Sequence, residues 1–181
     1  MDQSDPEMTA QDVIEFVGWM EDNGIEVILD GGWAVDAQLG RVTRRHADLD
    51  IAMQHADTPR LRDLLAGRGY SEVPLDDSWE CNFVLGDAEG HRIDVHSYTF
   101  DANGKLVHGV PYPFDSLLGQ GTVGGKRVRC ITPEWLVKFH TGYAIDENDY
   151  RDVRALCRHF GLPIPDEFSA YVKNDIGNWG E

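Results

Sequence analysis

No lysine or arginine occurs in the first 40 residues of this 181-residue chain, although ten aspartates and glutamates already stand there. Over the whole sequence Lys and Arg number 16 against 32 Asp and Glu, a formal charge of −16. Such an excess repels polyanions at long range, which weighs against a nucleic-acid partner; it either attracts a cationic small molecule or serves solubility alone. Cysteine is also scarce. Cys81, Cys130 and Cys157 are an odd number with no close pair, and they read as buried free thiols in a reducing compartment. No disulfide frame and no zinc knuckle is expected from their spacing. The opening MDQSDPEMT lacks the apolar segment of a signal peptide, and no apolar run is long enough to span a bilayer. A cytoplasmic protein without a membrane partner is the expectation. The glycines between 104 and 125 lack a GK[ST] ending, so they form no phosphate loop of that type. Hydrophobic residues do make up 41% and aromatics 10%, enough for one domain with a real core.

The most informative stretch runs from Asp30 to Ile51, DGGWAVDAQLGRVTRRHADLDI. The apolar residues before it, Ile25 and Val27 to Leu29, read as a buried strand that the pair Gly31-Gly32 ends. Glycine lets a backbone approach a ligand without strain. Trp33 to Leu39 reads as a short helix closed by Gly40, with Asp36 inside it, either solvated or touching substrate. Arg41, Arg44 and Arg45 follow, a local reversal of charge. They balance the nearby aspartates or bind phosphate oxygens. His46 fills the loop or supports the site from behind. On a strand, Asp48 and Asp50 point to one face while Leu49 and Ile51 point to the other. Two adjacent carboxylates are costly without a cation between them, and a divalent ion is the obvious candidate.

Elsewhere Thr9 to Asn23 reads as a helix, with Thr9 as N-cap and Asp12 as an unusual capping-box partner. A further helix starts at Thr58-Pro59, and Trp79 to Leu85 resembles a strand. A hairpin turn at 86–90 leads into the strand His91 to Phe100. There Asp94 and His96 are expected on one face, with Ile93, Val95 and Tyr98 on the other. Asp94 is thus a third candidate carboxylate if its strand lies beside the first two. Residues 102–130 read as loops with a short hairpin around Gly124-Gly125. Helices follow at Thr132-Pro133, with Trp135, Leu136, Phe139 and Tyr143 on its apolar face, at Tyr150 to Phe160, and after Pro165. The expected division is 1–105 and 106–181: an α+β part with a mixed sheet flanked by helices, then a Gly/Pro-rich loop or hairpin with a small, mostly helical C-terminal region.

A glycine pair, a short helix, an hDhD pattern and a third aspartate on a later strand resemble the nucleotidyltransferase superfamily that includes DNA polymerase beta. The blocks DGGWAVDAQLGRVTRRHADLDI, RIDVHSY and RCITPEWLVKFHTGYAIDENDYRDV are more similar to the small antibiotic nucleotidyltransferases, lincosamide and aminoglycoside 2'' types. The resemblance implies a nucleotidyltransferase fold and transfer of AMP or another NMP from a Mg2+-bound NTP, such as ATP, to a hydroxyl of a small antibiotic. Asp48, Asp50 and Asp94 would hold the metal, and Asp94 would also activate the hydroxyl. Gly31, Gly32, Arg44 and Arg45 would meet the triphosphate; Asp36, His96, Glu147 and Tyr143 are the candidates for contact with the acceptor. The last block is nearer the lincosamide branch, which favours a homodimer, whereas GRVTR is nearer the aminoglycoside branch. Trp33 departs from the wider superfamily, where a small hydroxyl residue follows the glycines.

Overall fold

The computed structural model describes residues 7–177. The loose start expected over 1–7 lies outside them but for Glu7, while of the end expected to fray, 174–177 are helical and 178–181 lie outside the described residues. Eight strands form one mixed sheet in the order β3-β4-β5-β2-β1-β8-β7, and β6 pairs with β5. They are β1 (Val27–Leu29), β2 (Leu49–Gln54), β3 (Ser71–Val73), β4 (Asn82–Gly86), β5 (Arg92–Phe100), β6 (Leu106–Gly109), β7 (Gly119–Val123) and β8 (Lys126–Cys130). The helices are α1 (Ala10–Asp22), α2 (Gly31–Leu39), α3 (Thr58–Ala66), α4 (Pro133–Phe139), α5 (Glu147–Phe160) and α6 (Ser169–Gly177). The Gly/Pro-rich stretch, read as loops and a hairpin, supplies β6 as well as the β7–β8 hairpin. Sheet hydrogen bonds therefore cross the 105/106 division, through β6 on β5 and β8 on β1.

Strand alternation divides the sheet into two faces. The parallel pair β2–β5 aligns Leu49 with Ile93, Ile51 with Val95 and Met53 with Ser97, and the antiparallel pair β4–β5 aligns Phe83 with Val95. These side chains lie on one face and are fully buried. Helix α1 buries Val13, Phe16, Val17 and Met20, and α3 buries Leu61 and Leu65. Both helices cover this face: the Arg62 guanidinium lies 3.7 Å from the Phe83 ring centroid, and a small cavity lined by Phe16, Trp19 and Leu65 reaches Ile93. Each large apolar side chain so buried contributes roughly 1.5–3 kcal/mol. Asp12 does complete the capping box on α1, accepting from the Thr9 N–H at 2.8 Å.

The other face carries Asp50, Asp94, His96 and, by alternation, Tyr98. Tyr98 thus faces the same way as Asp94, not with Ile93 and Val95 as the sequence suggested. It stays buried because its ring packs against Tyr112 and Phe100. Helices α2, α4 and α5 pack with one another alongside this face. Helix α4 ends at Phe139, so Tyr143 lies beyond it in the connecting segment and is 53% exposed.

Candidate active site

Asp50 and Asp94 are register partners in the parallel β2–β5 pair, which brings the third carboxylate beside the hDhD motif. Asp48 lies just before β2, exposed, two residues from Asp50. A fourth aspartate that sequence reasoning passed over joins them. Asp30 caps α2 by accepting from the Gly31 N–H at 2.8 Å, and its own N–H donates to the Asp50 carbonyl at 2.9 Å. The buried Tyr112 hydroxyl donates to Asp30 Oδ2 at 2.5 Å. Asp30 adjoins the glycine pair, but Tyr112 comes from 82 positions away, and no local pattern announces that contact.

The cap also explains why α2 begins at Gly31 rather than Trp33. Gly31 has φ +54°, and a Cβ there would meet Asp50 Oδ2 at 2.2 Å; one on Gly32 would meet Arg44 Nη2 at 2.5 Å and His46 Nδ1 at 2.6 Å. The glycine pair thus makes room for the chain's own side chains.

Burial raises the Asp50 pKa well above the usual carboxylate range, and the charges of Asp48, Asp30 and Asp94 raise it further, opposed by Arg44. Burial likewise raises Asp94; His96 opposes this, while Asp48, Asp77 and Asp30 add to it. His96 Nε2 stands 3.6 Å from Asp94 Oδ1, and its buried Nδ1 has no hydrogen-bond partner among the described residues. Tyr112 is pushed up by burial and then by the charge and hydrogen bond of Asp30. Asp50 and Asp94 in register, with the charges of Asp48 and Asp30 acting on both, make a repelling set of carboxylates that a divalent cation would relieve, although no three of them bring oxygens within 4.8 Å of one another as the side chains now stand. An all-oxygen donor set of this kind suits a hard ion such as Mg2+.

Arg44 lies against this cluster but is not loose. Its Nη2 is 2.8 Å from Asp152 Oδ2 and its Nε is 3.2 Å from both oxygens of that carboxylate, which is only 2% exposed. Burial lowers the guanidinium pKa, but the hydrogen bond and charge of Asp152 outweigh it and hold the group above its usual value. Arg45 points elsewhere, exposed, to Glu7 at 3.0 Å. Asp36 is corrected on both readings. At 2% exposure it is not solvated, and both oxygens are engaged within the protein. Oδ1 accepts from the Thr43 N–H at 3.1 Å and from its hydroxyl, and Oδ2 meets His46 Nε2 at 2.6 Å. Asp36 and His46 thus hold the 40–48 loop in place, and Asp36 has no oxygen left for substrate. Glu147 is exposed at the start of α5, and Tyr143 donates to Asp149 at 2.7 Å.

The family model for aminoglycoside-2''-adenylyltransferase matches residues 12–156. The chain belongs to the aminoglycoside-2''-adenylyltransferase family. As a member it is a nucleotidyltransferase of the antibiotic-resistance type. Among curated relatives, a lincosamide resistance protein of Staphylococcus haemolyticus is 25% identical over 155 residues, covering 82% of this chain and 94% of that protein. A 2''-aminoglycoside nucleotidyltransferase of Escherichia coli is 26% identical over 127 residues, 68% of each chain. The fold matches the lincomycin-bound lincosamide adenylyltransferase LnuA with TM-score 0.72 at 23% identity, covering 83% of this chain and 97% of that one. It also matches ANT(2'')-Ia in complex with adenylyl-2''-tobramycin, with TM-score 0.67 at 19% identity, covering 83% and 88%. Among the described residues no helix is long and apolar enough to cross a membrane.

Proposed function

We propose that this family member transfers a nucleoside monophosphate, AMP from ATP, to a hydroxyl of a lincosamide-class antibiotic and releases pyrophosphate. The observation that carries the reaction is the in-register placement of Asp50 beside Asp94, with Asp48 and Asp30 close by in charge. Asp48, Asp50 and Asp94 would hold Mg2+. When bound, the metal supplies the positive charge that steadies the triphosphate and the departing pyrophosphate.

The acceptor hydroxyl donates its proton to Asp94 as its oxygen attacks the α-phosphorus. The bond from that phosphorus to the bridging oxygen breaks, and pyrophosphate leaves with the bonding pair. A carboxylate whose pKa is raised by its surroundings is a better proton acceptor, and Asp94 is one. His96 holds one ring nitrogen 3.6 Å from Asp94, beyond hydrogen-bonding distance but close enough to lower its pKa. Arg44, clamped by Asp152, keeps a fixed positive charge at the edge of the cluster, where it favours phosphate oxygens. At the N-terminal turn of α2 the Gly31 N–H is held by Asp30, which leaves the Gly32 N–H as the backbone donor for a phosphate oxygen. Arg45, tied to Glu7, contributes less.

The lincosamide assignment is supported by the span of the match, 94% of the Staphylococcus haemolyticus protein against 68% of the 2''-aminoglycoside enzyme. An aminoglycoside acceptor is the second reading. The family model's description and the −16 charge favour it, since a polycation would gain from carboxylates such as Glu147. A pyrophosphate-release screen with Mg2+, each NTP and both antibiotic classes decides. Release with lincosamides alone supports the first reading, release with aminoglycosides alone the second, and silence across the panel removes both.

A further inference from the structure

On the sheet face opposite the aspartates, three side chains from distant segments converge. Cys81, just before β4, places its Sγ 3.4 Å from His55 Nδ1 and 3.3 Å from His108 Nε2. All three ligand atoms lie within 4.8 Å of one another. His55 follows β2, and His108 sits on β6 opposite Thr99. The carbonyl of Cys81 accepts from the Ser97 N–H at 2.8 Å, which fixes Cys81 to the Ser97 side of β5. Ser97 is three residues beyond Asp94 on the other face, about 10 Å further along the strand. This cluster therefore takes no part in the site described above.

We infer that Cys81, His55 and His108 form a second metal site, for Zn2+ or a chemically similar transition-metal ion. In a tetrahedral site with Zn–S about 2.3 Å and Zn–N about 2.05 Å, a sulfur and a nitrogen ligand stand about 3.5 Å apart. The two observed sulfur–nitrogen distances, 3.4 and 3.3 Å, are close to that edge length. The donor types, one thiolate and two imidazoles, are those that Zn2+ prefers and Mg2+ does not. Glu80 Oε1 is 3.0 Å from His108 Nε2 but stands outside the three-atom cluster, so a water would complete the tetrahedron. Cys81 thiolate would supply one negative charge to the divalent ion, and Glu80, beside His108, would offset part of the remainder from outside the ligand set. The thiol proton leaves to solvent, each imidazole binds in the tautomer that leaves its inward nitrogen bare, and His55 Nδ1 gives up its present 2.9 Å contact with Ser97 Oγ. Cys81 is fully buried while the His108 side chain is 43% exposed, so the ion has a route in.

The site's position gives it a task. Strand β5 pairs with β4 through Arg92 to His96 and with β6 from Tyr98 onward, so β4 and β6 meet end to end along one edge. A metal bound to Cys81, His108 and His55 would clamp that junction to the end of β2.

The test titrates full-length protein, stripped with a chelator, with Co2+ and then Zn2+. The expected result is one equivalent of Co2+ with intense tetrahedral visible bands and a thiolate-to-cobalt charge-transfer band, both displaced by Zn2+. Cys81→Ser abolishes the charge-transfer band. His108→Ala, a change at a surface position, weakens Co2+ binding by more than the roughly 10- to 100-fold that loss of an outer-sphere partner costs. Asp94→Asn leaves both signals unchanged. No charge-transfer band in the wild-type protein overturns the inference, as does a band that survives Cys81→Ser. If Cys81→Ser does not fold, undiminished affinity in His108→Ala overturns it.

Discussion

Arg44 and Asp152 stand 108 residues apart in sequence and share a forked ion pair, with Nη2 2.8 Å from Oδ2 and Nε 3.2 Å from both oxygens. The pair ties α5 to the loop that precedes β2 and sets Arg44 beside Gly32. Breaking a buried pair by removing one partner leaves a charge without compensation, at a cost of about 3 kcal/mol. Asp152→Ala should therefore lower the unfolding free energy by about that amount, read as a fall in denaturant midpoint multiplied by the slope m. Arg44→Lys retains a charge but not the planar fork, so it should lose part of the stability and most of the pyrophosphate release.

Gly31→Ala puts a methyl where Asp50 Oδ2 now lies, at a backbone φ of +54° that side chains rarely adopt. Backbone strain alone costs about 1–3 kcal/mol. The displaced Asp50 should also weaken Mg2+ binding, so turnover should fall further than stability explains. Thermal unfolding and Mg2+-dependent pyrophosphate release, measured on the same preparation, check this. Turnover equal to wild type would remove the role given to the glycine pair.

Much of the site was legible because its signals are local. The hDhD alternation announced the face that Asp50 occupies, with Asp48 falling just before the strand, and the same period in β5 placed Asp94 with His96. What remained hidden depends on contacts across the fold. Tyr112 reaches Asp30 from a Gly/Pro-rich stretch that offers no period to read, and Asp152 sits on an α5 face whose neighbour cannot be guessed from α5. Asp36 looked like a surface residue because helical position alone does not reveal that Thr43 and His46 fold back onto it. Strand β6 was missed because Leu106–Gly109 is short and its inward and outward positions do not alternate in polarity. The His55, Cys81 and His108 cluster draws on three segments, which a search for closely spaced ligands does not detect.

The raised pKa of Asp50 gives a pH dependence with a definite sign. Its folded-state value lies above the unfolded carboxylate value of about 3.9. The contribution is therefore fully present below the unfolded pKa and is lost as pH rises through the folded one. Metal-free protein in chelator should accordingly lose stability from this group as pH rises above about 4. Asp50→Asn should remove that loss and raise the metal-free Tm at pH 7, each kcal/mol relieved adding roughly 2–4 °C in a chain of this size. Mg2+ should then stabilise the wild type and not the variant. A variant with lower metal-free Tm at pH 7 would contradict the repulsion described here.

Tyr112→Phe removes the donor that holds Asp30 at the start of α2. A hydrogen bond to a charged group contributes about 1.5–3 kcal/mol, and stability should fall within that range. Because Asp30 shapes the turn rather than touching the acceptor, the variant's KM for the antibiotic should change less than its kcat. Steady-state kinetics over a range of acceptor concentrations separates the two.

The proposed mechanism requires Asp94 to take the acceptor's proton within a carboxylate cluster that would hold the metal. The most direct measurement is pyrophosphate release by Asp94→Asn with Mg2+, ATP and the acceptor that the wild-type enzyme uses, alongside a circular dichroism check of the fold. The account predicts an intact fold and a rate lower by at least about a hundredfold. A folded Asp94→Asn variant that releases pyrophosphate at the wild-type rate would contradict it.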